Sequence, residues 1–266
     1  MSLLLIAVIL GIVEGITEFL PVSSTGHMIL VGHIVHFTDE RASVFEVFIQ
    51  LGAICAIIVA YWPRLLGLLR PADERQGFTG FRGLALLAVT TVPAVILGSI
   101  AHGYIKRHLF TPFTVACGLA IGGLWIILTE RLLRNRRNAS LDTINWKDAL
   151  GIGCFQCLAL WPGMSRSGST ILGGMLLGLE RRAATEYSFF AAIPVMFAAC
   201  LFDLLKGLSS LHREDLLIFG IGFAVAFVSA LFAVKLFIRF LTRHTLEGFG
   251  WYRLVVSAVA FWFVFH

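Results

Sequence analysis

The sequence predicts an all-α polytopic membrane protein, an inverted-topology repeat of about six transmembrane helices plus two re-entrant helical segments. Three observations lead there. Of 266 residues, 58% are hydrophobic and only 14% charged, against about 25% charged in an ordinary soluble domain. Apolar runs of roughly 18 residues or more, long enough to cross a bilayer, recur along the chain. Two further apolar stretches, broken by proline, glycine and hydroxyl residues, come into register when the sequence is slid by 142 residues.

The elements follow in order. Segment 3–36 is apolar at both ends but holds "EGITEFLPVSSTGH" (14–27) in its middle. Irregular backbone at membrane depth is tolerated only where protein surrounds it, which predicts a re-entrant piece. Spans are expected at 45–62, 84–101 and 113–130. Segment 149–180, with "PGMSRSGST" (162–170), is the second re-entrant piece. Spans 187–205, 216–238 and 251–265 complete the chain, the last being short and reaching back to about Phe249.

Basic residues set the orientation. Arg64, Arg70, Arg75 and Arg82 fall in 63–83, and Arg131, Arg134, Arg136, Arg137 and Lys147 in 131–148; Arg181, Arg182, Lys235, Arg239 and Arg243 follow. The alternate loops hold Arg41, then Lys106 and Arg107, then Lys206 and Arg213. The positive-inside rule places the first group in the cytoplasm, provided that each re-entrant piece enters and leaves on one side. The first piece then dips from outside and the second from inside, with both termini outward. Residues 1–266 form a single membrane domain whose halves, 1–130 and 149–266, are joined by the basic loop 131–148. Three spans per half, an odd number, invert the second copy relative to the first.

Several function classes recede. The net charge of +5 is accounted for by these loops, so no nucleic-acid partner is expected. Cys154 and Cys157 have CxxC spacing but no second pair, and with Cys55, Cys117 and Cys200 they read as small packing residues. The start "MSLLLIAVIL" lacks the basic residues of a signal peptide and is expected to be retained. His33, His36, His102, His108, His212, His244 and His266 show no metal-ligand spacing, and Trp62, Trp146, Trp251 and Trp262 suit the interfacial belt.

The chemistry concentrates in the repeat. Gly11, Ser23, Gly26, Ile29, Leu30 and Gly32 overlay Gly153, Ser165, Gly168, Ile171, Leu172 and Gly174, and Thr25 overlays Ser167. Glu14, Glu18 and His27 overlay Gln156, Leu160 and Ser169, so one composite site is expected rather than two. Glu14 and Glu18, four apart, share a helix face and repel unless a proton or cation lies between them; a hard divalent ion suits their oxygens. Leu20-Pro21 is expected to end that helix, with Gly26 giving a flexible turn. Ser24 and His27 are within reach of each other on a short helix, the minimal activated nucleophile. In the partner segment, hydroxyls, glycine and backbone N–H groups at a helix start suit an anion, and Arg166 adds a bidentate cation. Its anionic partner is Glu14, Glu18 or a bound phosphate. Glu46, Gln50 and Glu186 are candidates to line the same cavity or to sit at span ends.

Together "EGITEFLPVSSTGH" and "PGMSRSGST", with "FEVFIQLGAI" (45–54) and "GCFQCLALWPGMSRSGSTI" (153–171), resemble the undecaprenyl-diphosphate phosphatase family, also called the bacitracin-resistance protein family. The resemblance covers essentially the whole chain. It implies a bacterial inner-membrane hydrolase that removes the terminal phosphate of undecaprenyl diphosphate, a polyprenyl diphosphate lipid. That step recycles the carrier for peptidoglycan synthesis and confers bacitracin resistance. It also implies a divalent cation, Mg²⁺ or Ca²⁺. By position, the catalytic residues fall on Glu18, Ser24, His27 and Arg166, and the metal ligands on Glu14 and Glu18. Ser165, Ser167 and Thr170 are carried over as substrate-binding positions, and the overlaid Ser23, Thr25 and Gly168 of the paired segments are expected to join them. Either Ser24 attacks with His27 as base, or His27 activates water directly.

The rival reading is an inverted-repeat transporter or lipid flippase, which needs binding and alternating access but no nucleophile. A non-catalytic scaffold would not require Arg166 and two buried glutamates. The topology is testable by itself: single cysteines at Thr38 and Asn138 are expected to react with impermeant reagents from outside and inside, respectively. The reverse labelling overturns the orientation.

Overall fold

The computed structural model describes residues 1–38, 40–70, 77–133, 139–207 and 215–265, excepting the side chains of Glu40, Lys106, Lys206 and Phe265. Arg75, Arg134, Arg136, Arg137, Asn138, His212, Arg213 and His266 lie outside the described residues. The chain runs α1 (Leu3–Thr17), α2 (Ser24–Ile34), α3 (Glu40–Ala60), α4 (Trp62–Leu69), α5 (Gly80–His108) and α6 (Pro112–Leu132). Then come α7 (Trp146–Gln156), a 3₁₀ turn (Cys157–Leu160), α8 (Arg166–Leu176), α9 (Arg181–Gly207), α10 (Asp215–Leu241) and α11 (Glu247–Phe265). Among the described residues α3, α5, α6, α9 and α10 are long and apolar enough to cross a membrane. Helix α11 occupies the sixth expected span and carries Arg253. This is an all-α, multi-pass membrane protein.

The first span differs from expectation. It stops at Ala60, and a short helix, α4, follows a turn at Tyr61. Pro63 stands in the first turn of α4, where a missing N–H costs nothing, whereas continued α3 would have needed it.

Each expected re-entrant piece is a pair of short helices joined by an irregular turn. Helix α1 ends at Thr17 with Glu18 as its C-cap, earlier than the Leu20-Pro21 stop, so Glu18 sits at the turn. The second helix of each pair begins behind a serine with left-handed backbone, Ser23 at φ 72° and Ser165 at φ 73°. Such a φ costs a non-glycine residue roughly 1–2 kcal/mol. A helix cap returns about 1 kcal/mol of that: Ser23 Oγ accepts from the Gly26 N–H at 3.3 Å, and Ser165 Oγ from the Gly168 N–H at 3.1 Å. Gly26 lies inside α2 rather than in a flexible turn, and its bare Cα faces Leu119.

Packing follows a matching pattern. Helix α1 lies on α10 as α7 lies on α5, while α3 meets both α10 and α9, and α6 meets α11. Lipid supplies no hydrophobic push between helices, so close approach through small residues does the work. At the α1–α10 crossing a Cβ on Gly11 would stand 2.8 Å from the Gly222 carbonyl; at the α7–α5 crossing one on Gly153 would stand 2.6 Å from that of Thr90.

Ion pairs gather around the basic segments. Glu186 receives Arg64 and Arg182, both at 3.0 Å, and Glu130 receives Arg181 at 2.7 Å. Glu186 therefore belongs to this network rather than to the cavity of the composite site. The crossings give a direct test. Gly153→Leu is expected to destabilise the protein by about 1–3 kcal/mol, read as a lower thermal midpoint in detergent, whereas the same change at Gly220, where the space is open, is expected to be near neutral.

Candidate active site

The two turns meet in the interior. Arg166, the first residue of α8, donates from Nη2 to Glu18 Oε1 at 3.0 Å and to Met196 Sδ at 3.2 Å, and from Nη1 to the Ser188 carbonyl at 3.2 Å. The Phe19 ring lies 5.6 Å from the guanidinium. The second oxygen of Glu18 accepts from the Ser24 hydroxyl. Arg166, Glu18 and Ser24 thus form one hydrogen-bonded chain running from the second re-entrant piece into the first. Burying an ion pair often yields little net stability, so this chain orients groups more than it stabilises the fold.

A second link runs beside it. Ser167 donates to the Leu20 carbonyl at 2.6 Å, and Ser165 Oγ lies 3.0 Å from Ser167 Oγ. Thr170 is buried and turned to Ser188, 2.6 Å away. Gly168 leaves room for Arg253 Nη1, which would stand 3.3 Å from a Cβ there. Thr25 is exposed and takes no part in these links. Two donors remain without partners: among the described residues, Arg166 Nε and Ser169 Oγ are buried and unpaired. An unpaired buried donor is costly, and both sit in the first turn of α8, where an anion is favoured.

His27 is placed differently from the expected Ser24–His27 pair. Its Nδ1 lies 2.8 Å from the Ser23 carbonyl and its Nε2 lies 2.7 Å from the Tyr252 hydroxyl. Both ring nitrogens are engaged, and Ser24 is drawn to Glu18 because the shortened α1 leaves that carboxylate at the turn.

Glu14 is 4% exposed, and its carboxyl faces those of Glu18 and Glu46, with Arg166 as the compensating cation. Among the described residues no set of three His, Cys, Asp or Glu side chains converges on one point. Two carboxylates do not build a Ca²⁺ cage. They do fit an ion such as Mg²⁺, which takes one or two carboxylates and fills its remaining positions with water and phosphate oxygens.

Arg253 is the residue that sequence reasoning passed over. It is 1% exposed. Nε donates to the Leu119 carbonyl at 3.3 Å, Nη1 to Pro21 at 3.3 Å and Met164 at 3.0 Å, and Nη2 to Gly118 at 3.0 Å and Gly163 at 2.6 Å. An arginine has five N–H donors, and here each has a backbone carbonyl. The signal was an arginine inside an otherwise apolar span, which is a functional candidate by default.

A polytopic membrane fold that surrounds an arginine, two carboxylates, a serine hydroxyl and unpaired donors defines a membrane protein with a buried polar site between two broken helix pairs. A family model described as Bacitracin resistance protein BacA matches residues 7–259. The chain is 54% identical over 264 residues to an undecaprenyl-diphosphatase of Nitratidesulfovibrio vulgaris strain Hildenborough, covering 99% of each. It is 53% identical over 263 residues to that of Maridesulfovibrio salexigens, again covering 99% of each. With that of Methylobacillus flagellatus it shares 48% identity over 262 residues, covering 97% of this chain and 96% of the other. The chain belongs to the bacitracin-resistance protein family.

Replacing Arg253 by methionine takes this donor from the buried turn carbonyls of Pro21, Gly163 and Met164, which no helix satisfies. A loss of more than about 3 kcal/mol is expected, read as failure to recover monodisperse protein or as a large fall in thermal midpoint. Wild-type stability in that variant would remove the clamp from the account.

Proposed function

We propose that this protein is a membrane phosphatase that hydrolyses undecaprenyl diphosphate to undecaprenyl phosphate and inorganic phosphate. It thereby recycles the cell-wall lipid carrier and confers bacitracin resistance. The observation that carries this reading is the Arg166–Glu18–Ser24 chain, in which a nucleophile from one re-entrant piece meets an anion clamp from the other. Kinship with the undecaprenyl-diphosphatases supports the substrate. In this reading the protein is a multi-pass protein of the bacterial inner membrane. Its halves, 1–130 and 149–266, are inverted repeats, and the site opens outward past the exposed Glu46.

The terminal phosphoryl group is held by Arg166 Nε, the Ser169 hydroxyl and the start of α8, where developing charge is met by fixed donors. Ser24 Oγ attacks the terminal phosphorus while its proton passes to Glu18, already its hydrogen-bond acceptor. The bond to the lipid monophosphate breaks, leaving a phosphoserine that water then cleaves to free phosphate. His27, held on the same α2 turn, serves the water step rather than the Ser24 step. Ser23 and Ser165 act through their caps, and Ser167, Gly168 and Thr170 by shaping the turn. Glu14 and Glu18 would hold a divalent cation, Mg²⁺ in preference to Ca²⁺, which when bound neutralises phosphate oxygens.

Purified protein in detergent, with undecaprenyl diphosphate and Mg²⁺, is expected to release phosphate. Detergent abolishes sidedness, so transport or flipping cannot imitate the signal. Arg166→Ala is expected to lower release by about 10²–10³-fold in protein that remains folded, and chelation of divalent ions to stop it. Undiminished release in the variant rules out the clamp, and turnover in chelator rules out the metal.

A further inference from the structure

Tyr252 stands one residue before the buried Arg253 on α11, and its side chain reaches the α2 turn. Its hydroxyl lies 2.7 Å from His27 Nε2. The two rings are stacked, with centroids 5.6 Å apart and planes 6° from parallel. The other ring nitrogen, Nδ1, lies 2.8 Å from the Ser23 carbonyl.

A carbonyl only accepts, so Nδ1 carries the ring proton. In the neutral ring Nε2 is then the acceptor and the Tyr252 hydroxyl the donor. Two contacts thus fix the tautomer, and the stacking fixes the plane of the ring. Ser23 is itself the left-handed cap of the turn, with φ 72°, so its carbonyl direction is determined by the same backbone that presents Ser24. The imidazole is held between the turn on one side and α11 on the other.

We infer that Tyr252 is a positioning residue for the reaction, resting on the phosphatase reading above: it holds His27 as the neutral Nδ1–H tautomer and keeps the Nε2 lone pair directed away from Ser24. The arrangement explains why Ser24 hydrogen-bonds to Glu18 and not to the imidazole: both ring nitrogens are taken, so His27 reaches the proton of the water step through the Tyr252 hydroxyl bonded to its Nε2. Tyr252 as a whole is 45% exposed, so removing its hydroxyl opens no buried void. Its role can therefore be separated from packing.

The test is a double-mutant cycle on the full chain in detergent. Phosphate release from undecaprenyl diphosphate is read for wild type, Tyr252→Phe, His27→Gln and the double variant. Nitrogen-15 spectra of histidine-labelled protein are recorded in parallel, with His27→Gln assigning the resonance. Tyr252→Phe is expected to lower kcat about tenfold, with KM within about twofold because no substrate contact is lost. In the His27→Gln background the same change is expected to cost nothing further, since both residues act through one group. Wild-type His27 is expected to carry its proton on Nδ1 alone, and Tyr252→Phe to show both tautomers.

Full activity of Tyr252→Phe, an equal loss in both backgrounds, or a wild-type proton on Nε2 overturns the inference. Where His27→Gln leaves no measurable turnover, the nitrogen spectra decide, because they are read on the resting protein. Wild-type protein that releases no phosphate overturns the phosphatase reading itself. Wild-type release with unchanged Tyr252→Phe overturns only the role of Tyr252.

Discussion

The interior is organised around one buried guanidinium. Arg253 donates to Pro21 in the first re-entrant turn, to Gly163 and Met164 in the second, and to Gly118 and Leu119 in α6. Irregular turns at membrane depth expose carbonyls that no water is available to satisfy. A cation with five donors in a rigid fork answers several at once. Its presence also dictates glycine nearby: a Cβ on Gly122 would collide with the guanidinium. Remove Arg253, and the two turns lose the group that fixes their mutual distance, and with it the reach of Arg166 to Glu18.

The two re-entrant pieces share a backbone and divide the chemistry. Both present a left-handed serine cap followed by a short helix, at positions 142 residues apart. The first supplies carboxylates, a serine hydroxyl and an imidazole; the second supplies an arginine and a helix start with unpaired donors. Anionic groups and the cation that balances them thus arrive on separate elements and meet only when both turns are in place. A site assembled that way couples its electrostatics to the fold. Glu18 carries the junction, since one of its oxygens faces Arg166 and the other Ser24.

Much of this was legible in the residues. Hydropathy located five spans that are long apolar helices in the structure, with ends displaced by up to seven residues, because a bilayer imposes a length on any helix that crosses it. The broken segments announced themselves by proline, glycine and hydroxyls in apolar surroundings, and Arg166 with its acidic partner by the cost of burying charge. Other features depended on three-dimensional detail that spacing does not carry. Helical spacing put Ser24 beside His27, but α1 ends at Thr17, and that brings Glu18 to the serine first. Tyr252 and Arg253 reach the site from 225 residues beyond His27 in the first case, and no local pattern links them to it. Helix α4 was hidden because Tyr61-Trp62-Pro63 continues the apolar run while Pro63 breaks the backbone.

The account stands or falls on whether the first re-entrant turn supplies the attacking atom. The most direct measurement uses undecaprenyl diphosphate labelled in its terminal phosphate, mixed with the enzyme and quenched in acid within a single turnover. The protein is then digested and its fragments mapped. Label recovered on Ser24, appearing and decaying at rates that match phosphate release, is the predicted result. Rapid turnover with no label on the protein at any time would contradict it, and would assign the attack to water.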